Sequence, residues 1–363
     1  MNLRLGRFGF QESACVVGLS ALVSGTFAVN VKDTFARGNV CWAATAAGAL
    51  LSLLLLWLLY RAMARRGAED LCALLVEGFG PVPGAVLSLP LILGLTFSAV
   101  LPLFRFTLAM ERYIYVDADY VPIALYLLPV LLLMVLSGME CVGRMGKLLL
   151  IPGALALLLT LALASPAFAV YHLYPLLSPG FDAFWEQTNQ ALFRFLPPGL
   201  ALFAAGRGCQ GRHNAMDGVR RGLLLGGGGA FLMQLGLGLT FFAPDMAFLS
   251  APVYCMTMAA RQERMVLRFD GLILFLWLAA GLLTAAFYLY AAALLFCRSM
   301  GQEDVRPVGA LLVLLSMGLV LLFNFDSDAV LAAVRLIYRR GHLLLLPPLG
   351  LLYGRSWTGR RTR

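Results

Sequence analysis

Long runs of apolar residues recur along the whole chain and constrain its fold more than any other feature. A helix needs roughly 20 residues to cross about 30 Å of hydrocarbon. Of the 363 residues, 61% are apolar and 13% are charged, against roughly 45–50% and 25% in soluble domains. We therefore expect an all-α polytopic membrane protein with ten transmembrane helices, at about residues 10–29, 39–60, 84–108, 120–137, 148–170, 191–206, 221–243, 270–297, 307–324 and 341–353.

The distribution of Lys and Arg predicts the orientation of the chain. With the N-terminus inside, the inner connecting segments carry most of the 28 Lys and Arg residues, as the positive-inside rule requires. We therefore expect both termini in the cytoplasm, with residues 354–363 as a basic cytoplasmic tail. The net charge of +9 is spread over short connections, which is typical of contacts with anionic lipid headgroups and not of nucleic-acid binding.

Residue types that carry enzyme or metal chemistry are scattered in the sequence. The seven cysteines show no CxxC spacing and the three histidines lie far apart, so neither a disulfide framework nor a metal site is predicted. No cluster of His, Asp or Glu stands beside a nucleophile, so the sequence predicts no enzyme and no cofactor. The run Gly226–Gly229 lacks the Lys-Ser/Thr of a phosphate loop and therefore indicates close helix packing.

Two connecting segments show a pattern of their own. Residues 67–80 place apolar side chains on one side of a helix and acidic ones opposite, namely Leu71, Leu74, Leu75 and Val76 against Glu69, Asp70 and Glu77. This pattern predicts a short interfacial helix on the cytoplasmic side. Residues 244–268 either lie along the outer surface or form a simple loop, and the sequence leaves both interpretations open.

The sixth span contains residues that are unfavourable inside a helix, since Pro197, Pro198 and Gly199 interrupt an otherwise apolar run. The prolines cannot donate to the carbonyls one turn earlier, and a bare carbonyl in hydrocarbon is costly unless a cavity or ligand satisfies it. Ten spans divide into five plus five, so the first span is the counterpart of the sixth. That span groups small and polar residues at Gly18, Ser20, Ser24, Gly25 and Thr26.

Interrupted helices at matching positions of two halves are the best sequence indication of a transporter-type binding site. We therefore predict one transmembrane domain over residues 1–363, built as a 5+5 inverted repeat with broken helices one and six. Repeat one covers about residues 8–170 and repeat two about residues 191–353.

The predicted site lies where the two broken helices meet near the membrane midplane. Polar residues of spans three and eight extend the candidate ligand-binding set, which comprises Gly18, Ser20, Ser24, Gly25, Thr26, Thr96, Ser98, Pro197, Pro198, Gly199, Thr284 and Tyr288. A second explanation stays open, because a proline can merely kink a membrane helix and a lone Ser or Thr usually bonds its own backbone. Arg105 and Arg194 lie within spans, but no charged group is predicted in the cavity. This favours a zwitterionic ligand held by backbone dipoles.

One stretch of the chain is similar to a known family. Residues 268–307 read RFDGLILFLWLAAGLLTAAFYLYAAALLFCRSMGQEDVRP, with the shared features at Arg268, Asp270, Trp277, Tyr290 followed by two alanines, Gly301, Asp304, Arg306 and Pro307. Together with Gln11 and the segment GAEDLCALLVEGFGPVPG, these features make the chain resemble the spore-germination permease-like family. Its members are the B subunits of nutrient germinant receptors.

The resemblance implies the ten-span, inverted-repeat fold of the amino acid/polyamine/organocation superfamily and the sensing of a small nutrient, often an amino acid, in the spore inner membrane. It also implies partner A and lipoprotein C subunits, ligand contacts at the breaks of spans one and six, and a cavity closed by spans three and eight. The chain has Thr284 where the family implies a Lys. The sequence of its first span also matches the family's Gly-Ser-x-Ile pattern less closely. An ion-coupled secondary transporter of amino acids or related small solutes is the alternative function.

Overall fold

The computed structural model describes residues 9–27, 39–115, 119–176, 180–209, 212–246, 249, 251–259, 269–325 and 350, and the elements described there are all helical. In chain order the α-helices are α1 (Phe10–Thr26), α2 (Cys41–Arg66), α3 (Leu71–Phe79), α4 (Pro81–Tyr113), α5 (Tyr120–Leu136), α6 (Met139–Ala164), α7 (Phe181–Ala204), α8 (Arg212–Thr240), α9 (Ala243–Met246), α10 (Pro252–Ala259), α11 (Phe269–Met300) and α12 (Arg306–Phe325). Short 3-10 turns follow α6 and α7, at Ser165–Ala167, Val170–Leu173 and Gly206–Cys209.

The long helices match predicted spans one to nine in chain order, as α1, α2, α4, α5, α6, α7, α8, α11 and α12. In the described part of the chain, six helices have at least 18 residues and are apolar enough to cross a membrane. The chain is therefore an integral membrane protein. The predicted tenth span at 341–353 lies outside the described residues except for residue 350, and the predicted tail at 354–363 lies wholly outside them.

Three helices begin well before the predicted spans, and one of them is α8, which starts at Arg212 instead of residue 221. α6 starts at Met139 instead of residue 148, and α7 starts at Phe181 instead of residue 191. Both begin directly after a glycine with positive φ, +85° at Gly138 and +125° at Gly180, a conformation that glycine adopts without strain. The predicted starts were late because the first turns carry charged residues, which a search for apolar runs excludes even though the helix continues through them.

The predicted interruption of span six is wrong. α7 continues as a helix from Phe181 to Ala204 through Pro197 and Pro198. The φ of proline is compatible with helical backbone, and every residue from 190 to 204 is buried against other helices, so hydrocarbon does not reach the carbonyls that the prolines leave without their usual donors. α1 is likewise continuous through Gly18 and Ser24, and it ends at Thr26.

Glycines bring two pairs of helices together at backbone distance. A Cβ at residue 226 would lie 2.1 Å from the carbonyl oxygen of Gly18, so α8 packs directly on the backbone of α1. A Cβ at residue 48 would lie 2.4 Å from the Cβ of Ala191, so α2 approaches α7 as closely. The prediction that the glycine run serves close helix packing is therefore confirmed at Gly226.

The main helix contacts connect the two halves of the sequence. α1 packs along α8, and α7 packs along α2, so the first and sixth spans each lie on the second span of the opposite half. α4 packs along α11 and α5 along α12, which pairs the third and fourth spans of the two halves in the same way. The core of the molecule is thus made by both halves together.

The predicted short helix after span two is present as α3, but its surroundings differ from the prediction. Leu71, Leu74 and Leu75 are buried as expected. Asp70, which the pattern places on the solvated side, is also buried: its carboxylate accepts a hydrogen bond from the Ala73 N–H at 2.7 Å and pairs with Arg298 of α11 at 2.6 Å. In the second connection, where both interpretations were open, residues 252–259 form helix α10.

Candidate functional site

Two predicted site residues from distant parts of the sequence meet in the core. The hydroxyl of Ser24 on α1 lies 3.0 Å from the hydroxyl of Tyr288 on α11, and the two form a hydrogen bond. Ser24 is 4% exposed and Tyr288 is fully buried. Ser20 lies one turn earlier on the same face of α1, and its buried Oγ has no hydrogen-bond partner among the described residues. These hydroxyls form a polar site between α1 and α11, which we call the hydroxyl site.

The other predicted hydroxyl groups are satisfied within their own helices. Each bonds the carbonyl four residues earlier, at 2.7 Å for Thr26 and Ser98, 2.9 Å for Thr96 and 2.8 Å for Thr284. This is the local explanation that the sequence left open. An oxygen that donates in this way can still accept a hydrogen bond, and Thr284 shares a helix face with Tyr288, so a ligand contact at these positions stays a prediction.

The three predicted glycines lie at contacts between helices. A Cβ at Gly199 would lie 2.3 Å from the Leu56 side chain of α2, and one at Gly18 would lie 3.5 Å from the carbonyl of Gly222 on α8. A Cβ at Gly25 would lie 2.6 Å from that of Ala230. Pro197 and Pro198 are buried in the same part of α7 as Gly199. The contacts of Gly18 and Gly199 are thus with α8 and α2, and neither glycine is seen against the hydroxyl site.

A second polar group lies at the end of α1, and sequence reasoning did not include it. The Gln234 amide on α8 donates to the carbonyl of Gly25 at 3.0 Å and accepts from the Cys41 thiol at 3.4 Å. The guanidinium of Arg194 on α7 lies beside the Cys41 thiol. We call Arg194, Cys41 and Gln234 the guanidinium site. All three are at least nine-tenths buried.

The sequence does carry a signal for the guanidinium site. Gln187, Gln190 and Arg194 recur at intervals of three and four, which places them on one face of α7. A polar stripe on a helix buried among other helices indicates polar groups that face the protein interior. The predicted site instead included Pro197 and Pro198, one turn further along the same helix, and did not include these three polar residues.

Aromatic rings pack at the C-terminal end of α1 next to the hydroxyl site. Phe27 follows Ser24 by three residues, and its ring lies 4.5 Å from that of Phe106 and 5.0 Å from that of Trp277, measured between centroids. Trp277 is almost fully buried, so this aromatic cluster lies well inside the bundle. The hydroxyl site is therefore enclosed in this conformation, and a ligand would reach it only after the helices move.

An apolar groove of about 230 Å³ lies on the outer face of the bundle between α2 and α8. Its lining includes Ala49, Leu53, Gly227 and Phe231, and it carries almost no polar surface. Such a lining suits hydrocarbon and offers a polar nutrient no hydrogen bond, so this groove is not the candidate site. Among the described residues, no three His, Cys, Asp or Glu side chains are grouped in a way that could hold a metal ion.

The hydrogen bond between Ser24 and Tyr288 predicts a measurable coupling between α1 and α11. We expect Ser24→Ala and Tyr288→Phe to be non-additive by about 0.5–1.5 kcal/mol, because each removes the same buried bond. A double-mutant cycle on the purified protein in detergent, read as the free energy of unfolding, measures this term. Thr160→Val is the control partner, since its buried hydroxyl bonds its own helix at Ala156 and no other group among the described residues. An additive Ser24/Tyr288 cycle would contradict the assignment.

The helix arrangement is that of known membrane transporters. A Na⁺-coupled sialic acid symporter in a substrate-bound outward-open state matches with a TM-score of 0.69 at 12% sequence identity, over 95% of this chain and 79% of that one. Mhp1, a nucleobase-cation-symport-1 family transporter in a closed conformation with bromovinylhydantoin bound, matches with a TM-score of 0.66 at 14% identity, over 97% and 78%. At these identities the likeness establishes a shared fold. The chain thus has the fold of these transporters.

The sequence assigns the chain more narrowly. A family model described as spore germination protein, the spore permease family, matches residues 14–327. This range includes every long helix of the structure except the first turn of α1. The chain belongs to the spore germination protein family, as the resemblance around α11 predicts. A comparison with curated protein sequences finds no match.

Proposed function

We propose that the chain is the nutrient-binding membrane subunit of a spore germination receptor, with an amino acid as its germinant. Family membership over residues 14–327 supports a role in germination. The enclosed hydroxyl site between α1 and α11 supports the binding of a small polar molecule, because its buried hydroxyls offer hydrogen-bond donors and acceptors away from water. The proposed partners are the receptor's A and C subunits, and the proposed location is the spore inner membrane with both termini in the cytoplasm.

The proposed architecture is a single transmembrane domain with a 5+5 inverted repeat. Reciprocal packing supports it, since α1 lies on α8 and α7 lies on α2, as a two-fold relation between the halves requires. Repeat one then covers about residues 8–170 and repeat two about residues 191–353, with residues 354–363 as the cytoplasmic tail. The helices at the first and sixth positions stay continuous in this arrangement, and the proposed ligand contacts centre on Ser20, Ser24 and Tyr288.

Germination of spores that carry point variants tests this function. Spores with Tyr288→Phe or Ser24→Ala should require a higher amino acid concentration for half-maximal germination, by about tenfold for a lost hydrogen bond to the ligand. Thr160→Val spores serve as the matched control and should respond like wild type. Binding of the same amino acid to the purified protein, weakened in parallel, links the phenotype to the site. Normal responses in the variants at normal protein levels would contradict the site assignment.

The likeness to Na⁺-coupled symporters supports a second candidate function, an ion-coupled transporter of amino acids or related solutes. Proteoliposomes distinguish the two. A receptor should bind the amino acid without accumulating it when a sodium or proton gradient is applied, whereas a transporter should accumulate it and lose uptake when the gradient is dissipated. Gradient-driven accumulation would favour the transporter function over the receptor function.

A further inference from the structure

Arg194 is a buried cation near the middle of α7. Its side chain is 4% exposed, and its Nε has no hydrogen-bond partner among the described residues. The polar group shown beside its guanidinium is the Cys41 thiol, a weak acceptor with no formal charge when protonated. None of the ion pairs seen among the described residues includes Arg194.

A cation in this position is costly. Removing a guanidinium from water is unfavourable by several kcal/mol unless an anion compensates for the lost hydration. Ionisable groups inside membrane bundles are accordingly rare, and they mark binding sites or ion paths more often than structural contacts. The Cys41 thiol cannot compensate, since it offers one weak hydrogen bond. Among the described residues, the guanidinium site therefore holds no anion that compensates for the charge of Arg194.

Two buried glutamines accompany Arg194 and Cys41. Gln190 lies one turn before Arg194 on the same face of α7, and Gln234 on α8 contacts Cys41. Gln234 also holds the carbonyl of Gly25, which follows Ser24 of the hydroxyl site. A run of contacts thus connects Arg194 through Cys41, Gln234 and Gly25 to Ser24. The guanidinium site and the hydroxyl site lie on either side of the end of α1.

We propose that Arg194 binds the carboxylate of the ligand, which makes the ligand a small monocarboxylate such as a neutral amino acid. The planar guanidinium presents paired N–H donors that match a carboxylate in a bidentate geometry. A single guanidinium neutralises one carboxylate. A dicarboxylate would bury a second negative charge without a partner, and a polyamine would be repelled, so both are disfavoured as ligands. This inference rests on the proposed ligand-binding function and adds a charged anchor to a site that the sequence assigned to backbone dipoles.

The test compares acids with their uncharged analogues. The full chain, purified in nanodiscs, is titrated with a panel of neutral L-amino acids and the corresponding amino acid amides, and binding is followed as the shift in thermal unfolding. Wild type should bind at least one acid more tightly than its amide. Arg194→Gln should bind that acid at least tenfold more weakly and lose the preference for acid over amide. Arg194→Lys keeps the charge without the bidentate geometry and should lie between the two.

Arg105→Gln is the matched control, because Arg105 also lies on a membrane helix, with its guanidinium carbon 5.9 Å from the centre of the Phe104 ring. It should bind like wild type. If Arg194→Gln binds the acid as tightly as wild type, the inference is overturned while the proposed function stands. If Arg194→Gln does not fold, Arg194→Lys decides: binding as tight as that of wild type overturns the inference, and weaker binding in a folded variant supports it.

Acetate and chloride separate the inference from the proposed function. If no amino acid binds to wild type, the amino acid function is wrong. In that case stabilisation of wild type by acetate, absent in Arg194→Gln, still supports a carboxylate site, whereas equal behaviour of the two proteins overturns it. Chloride that stabilises as well as acetate would show a site for any small anion and would overturn the carboxylate assignment.

Discussion

Gly226→Ala should destabilise the protein by about 2 kcal/mol or more, even though only one methyl group is added. The new Cβ would lie 2.1 Å from the carbonyl oxygen of Gly18, 2.8 Å from the Cβ of Ala21 and 2.9 Å from the Gly18 carbonyl carbon. Two of these atoms belong to the backbone of α1 and cannot move aside as a flexible side chain would. The helices α1 and α8 must therefore separate, and both polar sites depend on the position of α1.

Gly228→Ala is the matched control for this effect, because it lies in the same run of four glycines. A Cβ there meets no atom within 4 Å. Alanine is favoured over glycine within a helix by about 1 kcal/mol, so this variant should be neutral or slightly more stable. Thermal unfolding of the purified variants in detergent measures both. Equal stabilities of Gly226→Ala and Gly228→Ala would show that α1 and α8 are not in backbone contact.

Asp70→Asn should cost about 3–5 kcal/mol, the largest loss expected from a change of one charge in this protein. Asp70 pairs with Arg298 at 2.6 Å, and the side chains are only 1% and 9% exposed. Arg298 also donates to the carbonyl of Ala204 at 3.2 Å, so the pair joins α3, the end of α7 and the end of α11. Asparagine can still cap α3 through its side-chain oxygen. The loss of stability therefore measures the cost of leaving the buried Arg298 without the carboxylate of Asp70.

The exposed pair of Glu140 and Arg144 on α6 provides the control. Their side chains are 39% and 70% exposed, and they lie four residues apart on one helix. Such surface pairs contribute about 0.3–0.5 kcal/mol, so Glu140→Gln should change stability little. Unfolding curves of the two variants at low and high salt separate the cases, because salt screens the exposed pair more than the buried one. A small effect of Asp70→Asn would show that water reaches Arg298.

Apolar pattern alone predicts where most of the helices lie, because each transmembrane helix must satisfy its own backbone. Its errors have two causes. The late starts of α6, α7 and α8 arose because charged first turns fall outside an apolar run although the helix continues through them. The mistaken interruption at Pro197 and Pro198 arose from treating the span as if lipid surrounded it, whereas every residue from 190 to 204 of α7 is surrounded by protein, which permits a continuous helix through two prolines.

Contacts between distant residues explain what the sequence predicts of the site and what it does not. Ser24 and Tyr288 are 264 residues apart, and each could be chosen only as a polar residue in an apolar helix. Their contact depends on how α1 and α11 pack. Gln234 and Cys41 carry no signal of their own, since their role comes from the carbonyl of Gly25 and from Arg194. The spacing of Gln187, Gln190 and Arg194 was the one readable indication of a charged site.

The contact between α1 and α8 also has a consequence for the synthesis of the protein. Gly18 meets its partners on α8 at Gly222 and Gly226, about 200 residues later in the chain. At roughly 5–20 residues per second, a ribosome needs about 10–40 s to produce that partner. During this interval the small-residue face of α1 is in the membrane without its neighbour. Lipid or the insertion machinery must cover it, and the first half of the chain cannot complete its own core.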